Sequence, residues 1–337
     1  ADLPAPSNGT ISLDPNTFYS INGVVTLTNP IEMNGAYISG FDSFEDGFTK
    51  ATGDIFVGTT GGSIRFLSLS GGGKAFNITG GTSLIVQNSI FSGFNKVGEI
   101  SNVGLVFFNI TQYLSNSNGF IYKNITDLLI NNSAWQGNNS GTFEKFEGSF
   151  NLIQKASGFS QANGNAVAID VSADPTVTNG VINSTAFTGT STTKVKKYTT
   201  TSANENFTKN WFVQGSGIQD EYDDIATGNL YVAGNLTSGY IQNISNNSAF
   251  KLNGTTTSSN LLRFSDNVNN RLEYTGKSSR TFNLNASLSV RGKTDQGVFY
   301  SFFVRKIISS TSSETLEESN SIFFVDNLTN INSISIT

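Results

Sequence analysis

The chain contains no cysteine and no histidine. Without cysteine there is no disulfide framework and no thiolate chemistry. Without histidine, Ser-His-Asp triads, Cys-His pairs and almost all zinc and non-haem iron sites are excluded. Charge is also scarce: only 13% of the 337 residues are Asp, Glu, Lys or Arg, with a net charge of −5. No basic stripe runs along the chain, so nucleic acid is not an expected partner. The densest cationic run, Lys194-Val195-Lys196-Lys197, is short and reads as a solvated loop. No apolar run reaches the ~18 residues of a membrane span, so membrane insertion is not expected. The chain opens at Ala1 without a recognisable signal peptide, which suggests a processed or preceded N-terminus.

What is present is turn chemistry and aromatic bulk. There are 34 glycines and 27 phenylalanines against five prolines. With Asn, Ser and Thr abundant and helical periodicity absent, the composition points to an all-β, turn-rich protein.

A short pattern recurs from Phe76 to Gly189. Leu84-Ile85-Val86-Gln87-Asn88-Ser89 is followed by Leu105-Val106-Phe107-Phe108-Asn109, Leu128-Leu129-Ile130-Asn131-Asn132-Ser133 and Leu152-Ile153-Gln154-Lys155-Ala156-Ser157. The leading leucines are 21, 23 and 24 residues apart. A shifted fifth copy spans residues 181–189. Each copy is too short for its own core and can bury an apolar row only by stacking on the next, as in a solenoid. The expected structure is a right-handed parallel β-helix. Leu84, Leu105, Leu128 and Leu152 would stack inside it, each contributing roughly 1.5–3 kcal/mol on burial. Phe91, Trp135 and Phe159 would form an aromatic row. Asn88, Asn109 and Asn132 would form an amide ladder.

Around this repeat the chain divides into three parts. Residues 1–189 read as the β-helix with its N-terminal cap, and 190–247 as a last coil and neck. Residues 248–337 read as an antiparallel jelly roll or β-sandwich. Phe41 to Thr52 looks like a polar excursion, and Gly71-Gly72-Gly73 like a sharp turn. The glycine triplet lacks the following helix and Lys-Ser/Thr pair of a phosphate-binding loop. In the last part, Phe282, Leu284, Ala286, Leu288 and Val290 alternate with polar residues, as do Val298, Tyr300, Phe302 and Val304. Period two means strands with one buried face.

No catalytic, metal or cofactor site is assigned. Polysaccharide cleavage would need two carboxylates roughly 5–10 Å apart, or a basic residue beside bound Ca²⁺. The coil candidates are Glu99, Asp127, Glu144, Glu147 and Asp170, and Asp127 and Glu147 do not stack in register. Asp220, Glu221, Asp223 and Asp224 form an acidic cluster without the spacing of a Ca²⁺ loop. Asn-X-Ser/Thr sequons recur from Asn8 to Asn327. They are read as a by-product of composition, since Asn109 would lie in the interior ladder.

The segments Ile11-Ser12-Leu13, Tyr19-Ser20-Ile21-Asn22-Gly23, Gly40-Phe41-Asp42 and the repeats from Leu84 resemble those of bacteriophage virion proteins with a parallel β-helix. Trp211-Phe212-Val213-Gln214-Gly215 with Gly217-Ile218 is similar to the junction that follows the helix there. Arg263-Phe264, residues 271–276 and 281–290, and Tyr300-Ser301-Phe302 resemble the tumour-necrosis-factor-like jelly roll that ends phage tail fibres and appendages. The resemblance implies a homotrimer on the virion surface that touches other virion proteins and a host-surface glycan or protein. Alternatives are a β-helix polysaccharide-degrading tailspike, a capsid-attached decoration fibre and a secreted bacterial adhesin. Jelly rolls of this family continue past the position of Ile336-Thr337. The last strand is therefore expected to keep an open edge or to pair with a neighbouring subunit.

Overall fold

The computed structural model describes residues 3–232, 239–292, 297–325 and 331–336. They fall into two compact units, Ala1–Ser278 and Ser279–Thr337. The first is a parallel β-helix. Its first sheet has nine strands: Ile11–Ser12, Ile31–Glu32, Phe56–Gly58, Lys74–Ile78, Lys96–Ser101, Phe120–Lys123, Thr142–Glu147, Val167–Asp170 and Val195–Lys196. The second sheet stacks Phe18–Ser20, Tyr37–Ser39, Gly62–Arg65, Gly81–Ser92, Val103–Leu114, Asp127–Trp135, Ser149–Gln161, Thr176–Asn183 and Trp211–Gln214. The chain alternates between the sheets, and successive turns pair in parallel. Every coil edge but the outermost is thereby satisfied by its neighbour.

From Phe66 to Ser184 the coils bend where one residue enters the left-handed region. In successive turns this residue is Phe66, Asn88, Ile110, Asn132, Ser157 and Ser184, with φ between 49° and 64°. Asn tolerates this conformation because its short amide makes local hydrogen bonds. The preceding corner uses Asn102 and Asn124, joined at 3.3 Å, and then Gly148. A third corner is fastened from within. Asn116 and Asn139 are buried, and the Asn139 carboxamide oxygen accepts from the Asn116 backbone N–H at 2.8 Å and from its amide at 3.0 Å. The Asn139 amide donates to the carbonyls of Tyr113 and Gln136, both at 2.7 Å. These bonds satisfy backbone groups that the sheets leave unpaired.

The lumen is aromatic. Phe91 stacks on Tyr113 at 5.2 Å, Trp135 on Phe143 at 4.4 Å, and Phe56 on Phe76 at 5.6 Å. The inward rows run Ile64, Val86, Phe108, Ile130, Lys155, Ile182 and Val213, with Leu84, Val106, Leu128 and Ile153 beside them. Leu105 and Leu152 therefore do not stack with Leu84 and Leu128. Both lie half-buried on the outer face, and Val106 and Ile153 take the inner places. Two adjacent apolar residues leave the face open to either reading, and a one-residue shift inverts it. For the same reason Ser160, not Phe159, sits under Trp135. Asn109 is half-buried outside, where it accepts from Asn132 at 3.1 Å. The expected interior ladder of Asn88, Asn109 and Asn132 is thus a corner ladder interrupted by Ile110.

Phe41 to Thr52 is only partly an excursion. Residues 41–46 loop out, and Gly47–Lys50 returns as a strand that buries Phe48. Gly71, Gly72 and Gly73 pack against the carbonyl oxygens of Lys50, Ala51 and Gly53, where a Cβ would clash. At the far end the solenoid is capped by Tyr198, Phe207 and Trp211, all buried. Buried Arg263 donates to the carbonyls of Phe207 and Thr208 at 3.1 and 3.2 Å. Beyond the cap, Thr227–Val232 pairs antiparallel with Thr256–Leu262, and Phe264–Ser265 with Glu273–Tyr274.

In the second unit the C-terminal antiparallel region consists of small sheets. Ala286–Val290 pairs with Asn332–Ile336, and Val298–Ile307 with Ser313–Val325. Among the described residues, Asn332–Ile336 is hydrogen-bonded as a strand along one edge only.

Candidate functional site

The carboxylates of the coils do not converge. Glu99 lies on the outer face of the first sheet between Lys74 and Lys96, at 2.6 and 2.5 Å. The hydrogen bond from Lys74, and then that from Lys96, holds its carboxyl below the usual range. Glu147 pairs with Lys145 at 2.7 Å. Asp170 accepts from the Ser172 backbone N–H at 3.0 Å and hydroxyl at 2.6 Å, with Lys196 at 3.6 Å. Asp127 accepts from the Asn151 amide at 3.0 Å on the second sheet, whereas Glu147 is in register with Lys123 on the first. Glu144 points into the lumen and pairs with Lys155 at 2.9 Å, both fully buried. Glu99, Glu147 and Asp170 thus share the outer face of the first sheet, each with a lysine partner, while Glu144 faces the lumen and Asp127 lies on the second sheet.

The acidic cluster after the last coil is also dispersed over separate tasks. Glu221 is buried and accepts from the backbone N–H groups of Asn206 and Phe207 at 2.7 and 3.0 Å. Asp220 accepts from Gly215 at 3.2 Å, and Asp223 from the backbone of Lys277 and Ser278 at 3.3 and 2.8 Å. Among the described residues, no three acidic groups are placed to share a metal ion. In the basic run, Lys194 donates to Ser191, Lys197 to Ser202, and Lys196 faces Asp170. Among the described residues, no helix is long and apolar enough to cross a membrane.

Two surfaces stand out for recognition. The first is the loop of residues 41–46, where Phe41 and Phe44 are 77% and 80% exposed. Side chains this apolar leave the surface only where the backbone holds them there. The holding group is the buried carboxylate of Asp46. It accepts from the backbone N–H groups of Gly23 and Phe41, each at 2.6 Å, and of Asp42 at 3.0 Å. These bonds keep its carboxyl below the ordinary carboxylate range. Asp42 in turn accepts from Phe44 at 2.8 Å. Nearby, Phe18 stacks on Tyr37 at 5.3 Å, and the Arg65 guanidinium lies 4.7 Å from the Tyr37 ring centre.

The second surface belongs to the C-terminal unit. Towards its open end, the hairpin of Val298–Ile307 and Ser313–Val325 is apolar on both sides. One side carries the pairs Val298/Val325 and Tyr300/Phe323. The other carries Phe299 opposite Phe324, their rings 5.1 Å apart, and Ile322. Phe299, Phe324 and Ile322 are 74%, 50% and 65% exposed. Both tryptophans are buried, so exposed aromatic recognition in this chain falls to Phe and Tyr.

No family model, curated protein or solved structure matches this chain. The functional reading therefore rests on the fold and these surfaces. A third feature is an open groove of about 660 Å³ between the turn at residues 183–186 and the turn at residues 214–220. Its polar lining is already engaged in part, since Asp220 fastens Gly215.

Proposed function

We propose that the chain is a structural protein on the surface of a bacteriophage particle. It assembles as a homotrimeric fibre or appendage and contacts the host surface. The observation that carries this reading is the doubly apolar hairpin of the C-terminal unit. A two-stranded hairpin is marginally stable in water, and an antiparallel sheet normally shows one polar face to solvent. Here both faces need covering. Copies of the same unit, brought together around an axis, supply three identical apolar faces for one another. The parallel β-helix supports the reading from the other side. It buries its own apolar core, so it can serve as a stiff element without help from a partner.

The loop of residues 41–46 supports attachment. Two exposed aromatic side chains on a backbone fastened by Asp46 leave little backbone entropy to lose when a host-surface glycan or protein closes on them. Attachment to the tail or to the capsid fits equally. The depolymerase alternative is less favoured, because Glu99, Glu147 and Asp170 on the outer face of the first sheet are each paired with a lysine, Glu144 is enclosed in the lumen and Asp127 lies on the second sheet.

The test is the double substitution Phe299→Ser with Phe324→Ser. It leaves the inner pairs of the hairpin intact. The expected result is loss of the oligomer with the β-sheet circular dichroism of the β-helix retained. A variant that keeps the mass of the wild-type assembly contradicts the assignment of this face.

A further inference from the structure

The strand Ser149–Gln161 carries apolar and polar residues on both of its sides. Facing the lumen are Phe150, Ile153, Lys155 and Ser160; facing out are Asn151, Leu152, Gln154, Ala156 and Phe159. Lys155 is the one charged residue in a row otherwise made of Ile64, Val86, Phe108, Ile130, Ile182 and Val213. Ser160 is buried beneath Trp135, and its hydroxyl has no partner. A slip of one residue would set Leu152 on Leu128 and Phe159 on Trp135, turn Phe150 and Ile153 outward, and put Gln154 in place of Lys155 in the lumen. Leu152 and Phe159 would then bury about as much apolar surface as Ile153 and Phe150 do now, so apolar burial alone does not choose between the two registers.

The opposing term is Glu144. It lies on the first sheet of the same coil, in register between Phe120 and Ile169, with its side chain fully buried. Among the described residues its one charged partner is Lys155, at 2.9 Å, and its second oxygen has none. The Lys155 ammonium also lies 4.9 Å from the centre of the Phe143 ring. If the strand slipped, Glu144 would face the neutral Gln154 and be left without a counter-charge in an aromatic lumen, a state that is strongly disfavoured. The corner adds a smaller preference in the same direction. Ser157 and Gly158 take positive φ in the observed register, whereas the slip would place Ala156 at the bend.

We propose that Glu144 selects the inward face of the strand Ser149–Gln161, and that this strand has two registers of similar apolar stability. The ion pair is then a specificity device. As a source of stability it is poor, because its desolvation is only partly offset by one hydrogen bond and one ring contact. Its presence is explained by what it forbids.

Because the chain has no cysteine, single introduced thiols report the register in the full-length protein. Gln154→Cys reads the outward face and Ile153→Cys the inward one. With Glu144 present, thiol labelling is fast at the first and slow at the second. With Glu144→Leu, the order is expected to invert, each rate changing about tenfold or more. With Glu144→Leu and Lys155→Met together, the uncharged side chain at position 155 has no reason to leave the lumen, and the wild-type order should return. An unchanged order in the Glu144→Leu protein overturns the proposal. So does failure of the double variant to fold, because the pair would then be a source of stability and not of register.

Discussion

Ile110 is the least comfortable residue at the coil bends. It is β-branched, half-exposed and held at φ 55° between Asn88 and Asn132 in the neighbouring turns. The left-handed conformation costs such a residue roughly 1–2 kcal/mol. Ile110→Asn should therefore stabilise the protein by about 1 kcal/mol, read as a higher urea midpoint at unchanged slope. An unchanged or lower midpoint would show that the Ile110 side chain contributes more on the surface than its backbone loses. The same residue explains what the sequence could and could not reveal at this scale. Asn88-Ser89 and Asn132-Ser133 mark the bend, but the intervening turn reads Asn109-Ile110, so the visible asparagine is displaced by one from the structural position. Asn116 and Asn139 share the spacing of Asn109 and Asn132 and were equally visible as a pair. Nothing in their immediate neighbours distinguishes a buried amide from the many exposed ones.

At the scale of elements, the coils were legible and their faces were not. Stacked parallel strands follow from the repeat, because no single copy can bury its apolar side. Inward direction depends on one-residue shifts, and Leu105-Val106 and Leu152-Ile153 are apolar on both sides of the choice. The loop of residues 41–46 had no sequence signal beyond its polarity, since the role of Asp46 comes from three backbone N–H groups that only the fold assembles. Its folded pKa is depressed by the bonds from Asp42, Phe41 and Gly23. A depressed carboxylate contributes stability that is present above the unfolded value of about 4 and is lost as the pH falls through the folded value. Hydrogen exchange at the Phe41 and Asp42 amides should therefore be protected near pH 6. Below about pH 4 it should accelerate relative to the β-helix core. Equal protection of the loop and the core across that range would mean that Asp46 does not hold the loop. Of the residues singled out in the sequence, Ala1, the sequons at Asn235 and Asn327, and Thr337 lie outside the described residues.

For the whole molecule, the two units differ in where their apolar side chains go. The β-helix has a continuous buried core from Ile11 to Val213. In the C-terminal unit, among the described residues, only Val325, Ile334 and Ile336 are buried apolar side chains, while Phe299, Ile322 and Phe324 lie open. The strict alternation around Leu288 and Tyr300 made the strands legible, but alternation describes one face of a strand and is silent on the second apolar face that a partner would cover. In the proposed assembly, copies of this chain cover one another there. Its most direct measurement is the absolute mass of the full-length protein by light scattering at micromolar concentration. A mass three times that of the 36.1 kDa chain is the predicted result. A stable monomer with those side chains exposed would contradict the account.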